Sequence, residues 1–126
     1  MLIYTSGASL AIVRFADCDK AKEGSDCVGS GEKVSRIYGE VFGAPVIDQD
    51  NARNFDVLIT GNVRAYNEAT PLLFRPNLVA VRLSVLNRDG DILATQDKME
   101  TANNLTGSTI RIAKGLASTL KNEIGR

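Results

Sequence analysis

In Phe55-Asp56-Val57-Leu58-Ile59-Thr60-Gly61-Asn62-Val63-Arg64-Ala65-Tyr66, apolar and polar side chains alternate with a period of two, the repeat of a strand buried on one face. Phe55, Val57, Ile59, Gly61, Val63 and Ala65 are expected on one side, with Asp56, Leu58, Thr60, Asn62 and Arg64 on the other. Leu78 to Leu86 alternates in the same way, with Val79, Val81, Leu83 and Val85 as the apolar face and Arg82 and Ser84 opposite. Asn87-Arg88-Asp89-Gly90 has the composition of a hairpin turn, with glycine where a positive φ is needed. Asp91 to Glu100 returns as the partner strand, with Ile92, Leu93 and Met99 as its apolar members. These three strands predict an antiparallel meander.

Upstream, Ser9 to Phe15 is nearly continuous in apolar character and reads as an inner strand, with Ala11, Val13 and Phe15 on the better-buried face. A long charged loop, Ala16 to Gly31, leads to a helix whose stripe is Val34, Ile37, Tyr38, Val41 and Phe42. Ser30 is the expected N-cap, Gly43 the C-terminal stop, and Pro45 forbids continuation. Val46-Ile47 forms a short strand, and the strand–helix–strand crossover makes it parallel to the first. A second helix, Ser108 to Ile124, has Ile110, Ala113, Ala117, Leu120 and Ile124 as its stripe with Leu116 alongside; Thr106 or Ser108 caps it. The order β-α-β-β-β-β-α over a single domain, residues 1–126, predicts an α+β fold: a mixed, mostly antiparallel sheet with helices packed on one face.

The chain has 126 residues, 44% of them hydrophobic and 24% charged, which is globular composition. Fifteen basic and fifteen acidic residues cancel, which disfavours a duplex nucleic-acid partner. No apolar run reaches the roughly 20 residues of a membrane helix, so no transmembrane segment is expected. Nothing at the N-terminus reads as a signal peptide, leaving either a cytoplasmic protein or a mature domain whose leader has been removed.

Histidine is absent from the chain, which removes the usual base for a serine or cysteine nucleophile. Asp17, Asp19 and Asp26 stand beside the two cysteines and disfavour a thiolate. Acids crowd two loops, but a calcium loop needs D-x-[DN]-x-[DN]-G; the fifth position is Ala21 counted from Asp17 and Ala52 counted from Asp48. No catalytic residue, no metal site and no cofactor is therefore expected.

Four features remain as candidates. Cys18 and Cys27 bracket a polar, glycine-containing segment, and their spacing fits neither a zinc site nor a thioredoxin motif. They read as a disulfide in an oxidising compartment, the alternative being two cytosolic thiols. Gly29-Ser30-Gly31 is either a flexible entry to the helix or an anion cradle. Leu72, Leu73 and Phe74, set between Pro71 and Pro76, either close the core or form an apolar patch that docks on a partner. Asn62, Arg64, Arg82 and Ser84 share the polar sheet face, either solvated or holding a small anionic ligand. Leu58, Leu78 and Ala80 on that face are a possible homodimer contact.

Asn54-Phe55-Asp56-Val57-Leu58-Ile59-Thr60-Gly61-Asn62-Val63 resembles the "ADYVLxGxV" strand of small bacterial envelope domains: the TolB amino-terminal domain, LpoB-type activators of penicillin-binding proteins and CsgG-like lipoproteins. Val79 to Leu93 resembles the strand of those families that ends in a "D-x-x-x-G-x-[IVL]" hairpin, and Leu10 to Asp17 resembles their "VAVLPF-x-D" first strand. The stretch between Val46 and Phe55 is too short for the second helix such domains carry. The resemblance implies a non-enzymatic protein-interaction domain of the periplasm or outer membrane, often a lipoprotein, whose partner is another envelope protein or a second copy of itself. Free thiols at Cys18 and Cys27 would instead place it in the cytoplasm.

Overall fold

A computed structural model describes residues 9–18, 26–68, 77–102 and 108–124. Three long strands, β3 (Val57–Asn67), β4 (Asn77–Asn87) and β5 (Ile92–Ala102), form the expected antiparallel meander. Gly90, at φ 90°, turns the β4–β5 hairpin in the left-handed conformation that glycine alone adopts freely. Upstream of them come β1 (Leu10–Val13), α1 (Ser30–Phe42) and β2 (Val46–Ile47), and α2 (Thr109–Ile124) closes the chain. The sheet order is β2-β1-β3-β4-β5, with β1 parallel to both of its neighbours. The fold is α+β, a five-stranded mixed sheet with α1 and α2 on one face.

Two bulges break the simple alternation. In β3 the register steps between Val63 and Ala65: Val63 faces Val81, Ala65 faces Ala80, and Arg64 is the extra residue. Beyond it Tyr66, not Ala65, enters the core. In β5 the register steps between the Leu86–Ile92 and Val85–Ala94 pairs, making Leu93 the extra residue. Because side chains alternate with a period of two, this slip reassigns the face of every later β5 residue. Ile92 and Met99, two of the expected apolar members of β5, are 64% and 65% exposed, and Ala94 and Ala102 are the β5 residues packed against the core.

The main core lies between the sheet and the helices. Leu10, Ile12 and Phe15 meet Val34, Tyr38 and Phe42 of α1, the β3–β4 face, and Ile112, Leu116 and Leu120 of α2. Phe15 thus lies with Leu10 and Ile12, whereas Ala11 and Val13 face the other way. On α2 the stripe is turned from the expected one: Ile112 is buried and Ile110 is 54% exposed. Ser108 is the cap, its hydroxyl accepting the Arg111 N–H at 3.2 Å.

The opposite face is half covered. A 3-10 helix, Gln49–Asn54, fills the stretch too short for an α-helix. It sets Ala52 over Ala11, Val13 and Leu58 in a second small core. Leu58 is therefore buried and is no part of a homodimer contact.

Two positions test the packing. At Gly61 a β-carbon would lie 2.2 Å from the Arg82 carbonyl oxygen, so Gly61→Ala must push β3 and β4 apart; we expect a loss of about 1–3 kcal/mol in denaturant unfolding. Tyr38 is fully buried between Phe15 and Phe42, its hydroxyl makes no hydrogen bond among the described residues, and burial pushes its phenol well above the ordinary range. Tyr66 instead donates to Thr109 Oγ1 at 3.1 Å. Tyr38→Phe should leave stability equal or higher, while Tyr66→Phe should cost about 1 kcal/mol.

Candidate functional site

The exit of β1 and the entry to α1 are tied together by several short links. Cys18 and Cys27 form a disulfide with a Cα–Cα separation of 5.1 Å, both cysteines buried. The alternative of two free thiols is set aside in this structure. Asp17, one residue before the bridge, accepts the Gly29 N–H at 2.9 Å and the Gly31 N–H at 2.7 Å. Those amides are the first donors of α1, which have no partner inside the helix. The anion cradle read at Gly29-Ser30-Gly31 is thus filled by the chain's own carboxylate. The N-cap itself is Gly29, left-handed at φ 79°, rather than the expected Ser30. Ser30 is buried, its hydroxyl 3.7 Å from Cys18 Sγ. Asp17 lies too far back in sequence for any local capping pattern to have revealed it.

On the helix side, a groove of about 330 Å³ between α1 and α2 is lined by the apolar Ile37, Tyr66 and Ile110 and by charges of both signs, Lys33, Arg36 and Lys114 with Glu40 and Glu68. The Lys33 ammonium stands 5.8 Å from the Tyr66 ring centroid. Arg36 pairs with Glu32 at 3.1 Å, and Glu32 also takes Arg14, so both cations hold the Glu32 carboxyl below its usual range. Among the described residues no cluster of three acids or cysteines is placed to hold a metal ion, and no helix is long and apolar enough to cross a membrane. Leu72, Leu73 and Phe74 lie outside the described residues.

The outer sheet face brings together the predicted group and one residue that was missed. Asn62 and Arg82 are direct cross-strand partners, and Ser84 lies opposite Thr60. Asp97 of β5, opposite Arg82, binds both arginines. Arg64 donates to its two oxygens at 3.0 and 2.9 Å, and Arg82 to one of them at 3.2 and 2.9 Å. A small anion would have to displace this internal carboxylate. Counting back from the turn without the Leu93 bulge puts Gln96 opposite Arg82, which is why Asp97 escaped notice.

Hydrogen bonds from Arg82 and then Arg64 hold the Asp97 carboxyl below its ordinary range. A carboxylate depressed in the folded state adds stability above its unfolded value, about 3.9, and loses it as pH falls through the lower folded value. Melting temperature should therefore drop below about pH 4, and Asp97→Asn should flatten part of that drop while lowering stability at neutral pH. An acid limb unchanged by the substitution would show that the arginine pairing carries no stability.

No known family model matches the chain, and no curated protein matches it in sequence. Among solved structures, the PelC dodecamer from Paraburkholderia phytofirmans is similar, with a TM-score of 0.72 at 13% identity over 91% of this chain and 85% of that one. A point variant of that dodecamer in another space group gives a TM-score of 0.73 at 15% identity, over 94% and 90% of the two chains. Lipoprotein GNA1162 from Neisseria meningitidis gives 0.52 at 10% identity, over 91% and 96%. A bacterial lipoprotein is thus among the proteins whose fold this chain shares.

Proposed function

We propose that this chain is a non-enzymatic domain of the bacterial cell envelope, periplasmic or outer-membrane-associated, that works through protein contacts and counts copies of itself among its partners. The observation that carries this reading is the Cys18–Cys27 disulfide, a bond that forms and persists in oxidising compartments. The fold adds support, because its neighbours include a lipoprotein and a protein that assembles as a dodecamer. The charged groups point the same way. Asp17 caps a helix, Glu32 and Asp48 pair with Arg14, Asp56 pairs with Arg88, and Asp97 pairs with two arginines. Acids committed to structural partners, in a chain without histidine, are poorly placed for acid–base work.

Counting thiols tests the compartment. Protein recovered from the periplasm should show no reactive thiol until it is reduced and two afterwards; two free thiols in unreduced material would overturn the envelope reading. In the chain-entropy model a bridge across this short loop is worth about 2.7 kcal/mol. Cys18→Ser with Cys27→Ser should therefore lower the melting temperature by on the order of 10 °C.

A further inference from the structure

The two edges of the sheet are unlike. The β2 edge has only Val46 and Ile47, whereas β5 runs from Ile92 to Ala102 with no strand beyond it among the described residues. A long open edge presents a row of unpaired N–H and C=O groups, a template for another strand. Ile92 and Met99, two of the most exposed large apolar side chains, both lie on β5.

We propose that β5 pairs antiparallel with β5 of a second copy about a two-fold axis at Met99, joining the two sheets into one. This rests on the self-association read above and names its surface. The charge order Asp97-Lys98-Met99-Glu100 selects the register. Centring the axis on Asp97, Lys98 or Glu100 sets that charge against its own copy, which is destabilising. Centring it on Met99 sets Lys98 opposite Glu100 of the second copy, and Glu100 opposite its Lys98, so two opposite-charge pairs form by symmetry. Met99 then meets its own copy on the outer face, covering a side chain that is 65% exposed in the single chain. Glu100 has no ion pair among the described residues, while Lys98 reaches only Glu123 at 3.6 Å. On the helix side, a groove of about 410 Å³ between β5 and α2, lined by Lys98, Glu100, Ile112, Gly115, Leu116 and Thr119, lies along the same edge and leaves room for the incoming strand's side chains.

Sedimentation velocity across a concentration series, with a thermal melt of each variant to establish folding, tests the pairing. Lys98→Glu and Glu100→Lys should each raise the dimer Kd by roughly tenfold or more, and the double swap should restore it. Under oxidation Met99→Cys should cross-link to its own copy, and Thr101→Cys, which faces Asp97 of the second copy in this register, should not. Self-association indifferent to the swaps, with no cross-link at position 99, would overturn the β5 pairing and leave the self-associating envelope domain standing. A monomer at every concentration would overturn the pairing and the self-association together; the compartment would still be decided by the thiol count.

Discussion

The first turn of α1 is fixed to the end of β1 by four links that depend on one another. Asp17 satisfies two amide donors of the helix, and the neighbouring Cys18 is bonded to Cys27 just before it. Gly31 lies so close to the β1 exit that a β-carbon would sit 2.1 Å from the Phe15 carbonyl oxygen. The Phe15 N–H donates to the buried Ser35 hydroxyl at 2.7 Å, one turn further along the helix. A side chain at position 31 would lift the helix off the strand, lengthening both Asp17 contacts and drawing Phe15 away from Tyr38. The ring packing of Phe15, Tyr38 and Phe42, which seats α1 on the sheet, depends on this close approach. Burying that first turn is tolerable only because its polar groups are answered from within the chain.

How much of this was legible depended on the range of each interaction. Element order, strand direction and the β3–β4 apolar face follow from local periodicity, and Val79, Val81, Leu83 and Val85 sit as their alternation requires. Assignments failed where one residue was inserted into a strand. Alternation carried past Arg64 sends Ala65 inward, but the bulge brings Tyr66 in; past Leu93 the same slip places Asp97 beside the arginines. Neither Arg64 nor Leu93 has a glycine or proline beside it to mark the irregularity. The α2 stripe was misplaced for another reason. Ile110 and Ile112 are both apolar, and the choice between them is made by the rotation of α2 over β4 and β5. Asp17 is the extreme case, a helix cap supplied from outside the helix across a disulfide loop.

The described charged groups divide in a way that bears on function. Arg14 with Glu32 and Asp48, Arg88 with Asp56, and Arg64 and Arg82 with Asp97 each join different segments of the fold. These pairs are substantially exposed, so each adds little to stability alone. Their consequence is positional: on the outer face Arg64 and Arg82 already hold Asp97, a carboxylate that an anionic ligand would have to displace. The recognition proposed above lies instead where backbone groups of an edge strand have no partner strand among the described residues.

That place is the β5 edge, and the features that guard it also define it. Charged side chains and a bulge on an edge strand are the usual defence against indiscriminate strand addition, and β5 has both. A guard made of alternating signs excludes most incoming strands while admitting one whose charges run in the complementary order. Read antiparallel from a two-fold axis at Met99, the strand is its own complement. Repulsion disfavours the registers centred on Asp97, Lys98 or Glu100, while the same charges attract in the one centred on Met99. The opposite edge needs no such device, since a strand of two residues, preceded by Pro45, gives an incoming chain too little to pair with.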